Sequence, residues 1–217
     1  PVYWSVVGGS ALAEAEVEYQ DKTSFSIDVK FAFVDQDAIA KKITGLSGSG
    51  KISLVIWTTT PWTLPANQAV SANAEVDYVL VQIADECLLV AETLLESVLA
   101  RAKIESHQVV GSVKGAVLEN LLLQHPFYSR QVPVLLGDHV TTDAGTGFVH
   151  TAPDHGADDF AVGVKYGIGT LNYIDDNGNY RPNVEIFAGD HVYKVDEKVI
   201  ALLIEKNALL AQGKITH

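Results

Sequence analysis

"WTTTPWTLPANQAV", residues 57–70, sets three consecutive threonines between two tryptophans and two prolines. The residues leading into it, Ile52 to Thr59, form an apolar run that reads as a buried strand. Pro61 disfavours a helical backbone at Thr60 and holds it extended. On an extended backbone Thr58 and Thr60 share one face and Thr59 takes the other. Pro65 and Asn67 then make a stiff, polar turn. Two readings stay open. Thr favours strands, so this is a strand end with Trp57 and Trp62 in the core. Alternatively, it is a set of hydroxyls on a rigid rim, placed to hold a ligand.

The rest of the chain favours strands as well. Phe25, Ile27, Val29, Phe31 and Phe33 alternate with polar or small residues, the period of a half-buried strand. Ala15, Val17 and Tyr19 alternate with glutamates in the same way. Tyr78 to Ile83 and Cys87 to Ala91 flank Ala84-Asp85-Glu86 as a hairpin. Val132 to Leu136 and Gly147 to Thr151 are two further strands, and "GLSGSGK" (45–51) is a flexible turn. Thr93 to Ala100 and Asp196 to Lys206 read as helices, the second capped by Asp196. "PDHGADDFAVGVKYG" (153–167) reads as a loop entering a helix that stops at Gly167. Asp158 and Asp159 fall in its first turn, where carboxylates suit the helix dipole. Asn177-Gly178 is a type I′ hairpin signal. The pattern predicts a β-dominated α+β fold with a barrel-like core of short strands and several peripheral helices.

Composition sets limits. A chain of 217 residues, 47% hydrophobic, suits one sizeable domain with a real core. Its net charge of −12 does not suit a stand-alone nucleic-acid binder driven by phosphate neutralisation. No apolar run reaches the ~18 residues of a membrane helix. Cys87 has no partner for an internal disulfide, which fits a reducing compartment. The chain contains no Met and opens on strand-like residues, so it reads as an internal piece of a longer protein.

Most chemical motifs fail. "DAGTG" (143–147) has Ala144 where an aspartic-protease loop needs a hydroxyl, and lacks the third glycine of a dinucleotide loop. Ser47 misses the G-x-S-x-G elbow by one residue. Asp175, Asn177 and Asn179 echo a calcium loop, but Tyr180 and Ile186 stand where it needs Gly and Glu. The segment "GFVHTAPDHGADDF" (147–160) survives beside the threonine stretch. It gathers His150, Asp154, His155, Asp158 and Asp159 around a strand end and a helix start. A bound substrate fits between His150 and Asp159. The plainer reading is a surface loop with Asp154 and Asp158 as capping acids and His155 exposed to solvent. A metal site built on these side chains is also open, though no H-E-x-x-H spacing is present.

"TTTPWTLPAN" (58–67) followed by "GTGFVHTAPDHGADD" (145–159) resembles the editing domain of bacterial isoleucyl-tRNA synthetases, the insertion called connective polypeptide 1 in that class I family. "SALAEAEVEY" (10–19), "HPF" (125–127) and "LGDHV" (136–140) fit the same branch. The likeness runs from near Trp4 to the last residue. Many relatives carry a Cys-x-x-Cys pair just before "SALAEAEVEY"; here Ser5 and Gly8 stand in those places, so no metal is expected there.

The resemblance implies a single editing domain over 1–217, with peripheral strands and linker in 1–50 and an editing core in 51–217. It implies hydrolysis of valine from mischarged isoleucine tRNA, and of valyl-adenylate as a further substrate. Asp159 would hold the α-ammonium of the misattached amino acid, and His150 would limit the pocket. Thr58, Thr59, Thr60 and Thr63 would surround the ester and terminal adenosine. Trp62 would be a pocket wall, and Asn67 would bear on specificity. The partners would be the tRNA acceptor end and the rest of the synthetase in cis, in the cytoplasm and away from membranes. No cofactor is expected in this domain; ATP and Mg would serve the full-length enzyme elsewhere. Two other classes stay open at this point. One is a metal-dependent hydrolase using His150, His155, Asp154 and Asp159. The other is a non-catalytic module that binds the tRNA acceptor end.

Overall fold

A computed structural model describes residues 3–5, 10–12 and 23–216. In chain order the strands begin with β1 (Tyr3–Ser5), β2 (Ser10–Leu12) and β3 (Thr23–Ala32), followed by helix α1 (Gln36–Lys42) and β4 (Lys51–Thr58). Next come β5 (Ala69–Ala72), β6 (Asp77–Ile83), β7 (Glu86–Ala91), α2 (Leu95–Arg101) and β8 (Gln108–Lys114). The second half holds β9 (Leu122–Gln124), β10 (Gln131–Leu136), β11 (Phe148–Thr151), α3 (Ala157–Tyr166), α4 (Asp196–Glu205) and β12 (Leu209–Thr216). The strand expected at Ala15 to Tyr19 lies outside the described residues.

Two mixed sheets carry the fold, in the orders β12-β3-β4-β7-β6-β8 and β11-β5-β10-β9. The larger ladder ends at β12 and β8 without pairing them, so the expected barrel is not closed among the described residues. The residues 57–70 decide this layout. The chain leaves the larger sheet at Thr58 and enters the smaller one at Ala69, with a 3₁₀ helix, Pro61–Ala66, as the crossing. The polar turn expected there is therefore helical. Pro61 suits its first turn, where a missing N–H costs nothing. Thr60 takes φ −127° and ψ 71°, outside the α region but short of full extension.

Pro65 lies inside this short helix and has no N–H to give, so the Trp62 carbonyl lacks its i+3 donor. The Tyr180 hydroxyl supplies one. Asp196 accepts the Trp62 N–H from the other side. Asp196 is thus not the expected cap of α4. It sits inside the helix, with Val195 at the cap position and no side-chain cap.

β3 itself is not peripheral. It lies between β12 and β4, and Ile27, Val29 and Phe31 are fully buried. Nor is it half-exposed: Ser26 and Asp28 on its other face are buried as well. The 84–86 hairpin forms with Ala84 at φ 54°. The Asn177-Gly178 turn is not type I′, because only Gly178 takes a positive φ. Asp175 instead closes a turn through its carboxylate, which accepts from the Asn177 and Asn179 N–H groups.

Candidate functional site

A cleft of ≈ 150 Å³ opens where β4, β11 and α3 meet. A cavity of about that size takes a group as large as benzene. Trp57, Thr58, Thr60 and Thr63 line it from the β4 end, Val149, His150 and Ala152 from β11, and His155 and Asp159 from the loop and start of α3. The structure therefore brings together five of the eight residues singled out from the sequence. Thr59 turns away from the cleft, Trp62 packs behind it, and Asn67 is fully buried beneath His150.

The threonines form a chain of hydroxyls. Thr58 Oγ1 accepts the Thr60 N–H at 3.1 Å and lies 3.3 Å from Thr60 Oγ1. Thr63 Oγ1 donates to the Thr60 carbonyl at 2.9 Å. Thr58 and Thr60 thus share one face, as alternation on an extended backbone demands.

The bonding of His150 can be worked out atom by atom. In the β11–β5 register it sits opposite Val70, which carries it into the protein interior. Asn67 Nδ2 donates to the Ala69 carbonyl at 2.9 Å, and this fixes which end of the amide is nitrogen. Since Nδ2 has only hydrogens to offer, His150 Nδ1 at 2.8 Å must accept. The ring proton is then on Nε2, which donates to Thr63 Oγ1 at 2.7 Å. Burial, reinforced by the nearby His155, pushes the His150 pKa down to about 3. His150 is a neutral wall with no free nitrogen.

Asp159 is different. Its Oδ2 accepts the Ala152 N–H at 3.1 Å, tying the end of β11 to the start of α3. Among the described residues it forms no ion pair. Burial raises its pKa; the Ala152 N–H and the more distant His139 act the other way. A half-buried carboxylate without a cation, facing a cleft, is a site for one.

The other acidic and histidine residues depart from expectation. α3 is capped at Gly156 with no side-chain contribution, so Asp154 is no cap; it is exposed. Asp158 is exposed in the first turn. His155 is half-buried rather than solvent-exposed, and its ring meets Trp62 edge-on at 5.1 Å. The metal arrangement does not assemble, since both nitrogens of His150 are bonded within the protein and Asp154 is outside the cleft.

Several supporting contacts gave no sequence signal. Trp57 Nε1 donates to Ser26 Oγ at 3.0 Å, and Arg101 lies over the indole at 5.7 Å. Arg101 also grips the buried Asp28 with two nitrogens, at 2.9 and 2.7 Å, and reaches the Gly145 carbonyl. Burial raises the Asp28 pKa against the pull of Arg101. The "DAGTG" turn thus serves as a brace: Thr146 Oγ1 donates to the Val55 carbonyl at 2.6 Å, and Gly147 takes φ 87°, where a Cβ would strike Ala91. On the far side of the crossing helix, Arg130 donates to the Pro65 and Asn67 carbonyls at 3.0 and 2.6 Å. His125 donates from Nε2 to the Leu64 carbonyl at 2.9 Å.

Comparison with known proteins identifies the family. Residues 41–196 match the family model described as leucyl-tRNA synthetase, editing domain. The isoleucine–tRNA ligases of Teredinibacter turnerae and Saccharophagus degradans are each 68% identical over all 217 residues. The chain spans 23% of the length of each. Among solved structures, GlLeuRS-CP1 superposes with a TM-score of 0.69 at 19% identity, covering 85% of this chain and 97% of that one. The editing domain of the Plasmodium falciparum cytosolic leucyl-tRNA synthetase reaches 0.50 at 12% identity, covering 66% and 64%. At such identities the two structures speak for the fold alone.

Proposed function

We propose hydrolytic proofreading of mischarged tRNA from one premise: the chain belongs to the family described as leucyl-tRNA synthetase, editing domain. The substrate is isoleucine tRNA carrying valine, with valyl-adenylate as a second ester-like target. The observation that carries this reading is Asp159, a half-buried carboxylate without a cation, in the same cleft as the Thr58, Thr60 and Thr63 hydroxyls.

Chemistry supplies the need for such a site. One methylene in an apolar pocket is worth only about 1–3 kcal/mol, and the selection of isoleucine over valine by this class of synthetase is the usual illustration of that limit. A second site must reject by size in the other direction, admitting valine and excluding isoleucine. Asp159 pairs with the α-ammonium. His150, neutral and bonded at both nitrogens, is a wall whose position does not adapt. Hydroxyls and backbone N–H groups near Thr58 and Thr60 stabilise the oxyanion as the carbonyl is attacked. The rest of a longer cytoplasmic synthetase, in cis, delivers the acceptor end and uses ATP and Mg elsewhere; the cleft itself needs neither.

The test is release of amino acid from valyl and isoleucyl esters of isoleucine tRNA by this chain, with chelator present. Loss of valine with isoleucine spared is the expected result, and Asp159→Asn should abolish it. That variant keeps an oxygen for the Ala152 N–H while removing the charge. Binding of the acceptor end with neither ester cleaved would instead support the non-catalytic module.

A further inference from the structure

The two histidines of the cleft are in opposite states. His150 has both ring nitrogens bonded within the protein. His155 has neither bonded: its Nε2 is buried without a hydrogen-bond partner, and no described residue bonds its Nδ1. The ring is nonetheless held in place. The His155 N–H donates to the Ala152 carbonyl at 2.9 Å, and the imidazole meets the Trp62 indole at 5.1 Å and 70°. Trp62 is itself fixed through its backbone by Tyr180 and Asp196. A packed ring that lines the cleft with Asp159 and Thr60, its Nε2 buried and its Nδ1 unbonded, is placed for proton transfer through Nδ1 rather than for structure.

We propose that His155 is the general base of this site and, later in the same turnover, its general acid. The inference rests on the editing reading above. The imidazole takes a proton from water as the water oxygen bonds to the ester carbonyl carbon, and the carbonyl π electrons move onto its oxygen. When the tetrahedral intermediate collapses, the bond from that carbon to the ribose oxygen breaks. The ribose oxygen takes the proton back from His155. The products are free valine and a tRNA with an intact terminal hydroxyl, and no other reactant is consumed. Asp159 cannot share this task while it is paired to the ammonium.

The surroundings suit the role. Burial holds the imidazole below its usual range, against an opposing pull from Asp154, so the ring is neutral at neutral pH. The other titratable groups in the cleft are Asp159 on α3 and His150 on β11. The crossing helix contributes Trp62 and Thr63, neither of which titrates in this range.

The experiment is steady-state deacylation of valyl isoleucine tRNA by the 217-residue chain, wild type, His155→Asn and His155→Ala. General acid–base catalysis contributes roughly 10²–10⁴-fold. The expected result is a fall in kcat of about 10²-fold or more with KM nearly unchanged, and partial recovery of His155→Ala by added imidazole. A structural role would not produce that rescue. Full activity in His155→Asn overturns the proposal, as does a wild-type rate that is unchanged in deuterium oxide, since a proton is in flight in the proposed step. That second readout stands even if both variants unfold. A wild-type chain that releases no valine defeats the editing reading itself, and the proposal with it. An active wild type with active His155 variants defeats only the proposal.

Discussion

Asn67 donates to His150 across 2.8 Å, and that bond fixes the histidine's tautomer from a residue outside the cleft. Asn67 can hold this orientation because its other amide hydrogen goes to the Ala69 carbonyl. The chain of donors then runs without a conflict: Asn67 to His150, His150 to Thr63, Thr63 to the Thr60 carbonyl. A wall, a crossing helix and a hydroxyl of the cleft are linked in one direction.

Asn67→Ala breaks this chain at its source. His150 Nδ1 is left buried without a donor, at a cost of about 1–3 kcal/mol. Denaturant unfolding measures that loss. The same variant frees the imidazole to turn, so the preference for valyl over isoleucyl ester should shrink, as read from the ratio of the two deacylation rates.

Stability should fall as pH drops below neutrality. His150 and His125 are both held at about 3 in the folded chain by burial, against 6.5 when unfolded. The unfolded state therefore binds more protons between these values. The stability linked to each histidine is complete above about pH 6.5 and is lost as pH falls toward about 3. Each contributes a slope of up to about 1.4 kcal/mol per pH unit. Asp28, Asp159 and Asp196, raised by burial, act in the opposite sense near the acid end of that range. Urea midpoints measured from pH 7 to about pH 5 should decline, and His125→Gln should flatten the decline.

Arg101→Met should be among the most damaging single changes outside the cleft. It leaves the fully desolvated Asp28 without its partner, which costs about 3–5 kcal/mol. The double variant with Asp28→Leu should recover much of that, since no charge is then stranded. The double variant still lacks the cation over Trp57, so its deacylation rate should stay below wild type while its stability returns.

The threonines should separate by face. Thr60→Val removes a hydroxyl that lines the cleft, and loss of one donor at a developing oxyanion costs about 10²-fold in kcat. Thr59→Val, whose side chain does not line the cleft, should leave the rate within a few fold. Equal losses in both would show that the hydroxyls act through the backbone turn rather than on the substrate.

Much of this site was legible in residues 57–70 and 147–160. Local alternation put Thr58 and Thr60 on one face, and the acidic first turn after "TAPDHG" put Asp159 at a helix start, because both follow from backbone geometry alone. The readings that failed were failures of context. His155 looks like a loop histidine until Trp62, distant in sequence, covers it. Asp196 looks like a cap until the crossing helix presents the Trp62 N–H to it. β3 looks half-exposed until α2 brings Arg101 to Asp28, 73 residues away in the chain.

By itself the sequence determined the elements, the two motif segments and the polar side chains they carry, since periodicity and turn chemistry act over a few residues. Only the tertiary structure decided which of those side chains are free. Pairing β5 with β11 sends His150 into Asn67 and Thr63 and commits both its nitrogens, while among the described residues the start of α3 leaves Asp159 half-buried with no cation and the His155 ring nitrogens without a hydrogen bond. Hydrogen-bond commitment and desolvation depend on groups brought together from across the chain, and no local pattern encodes them.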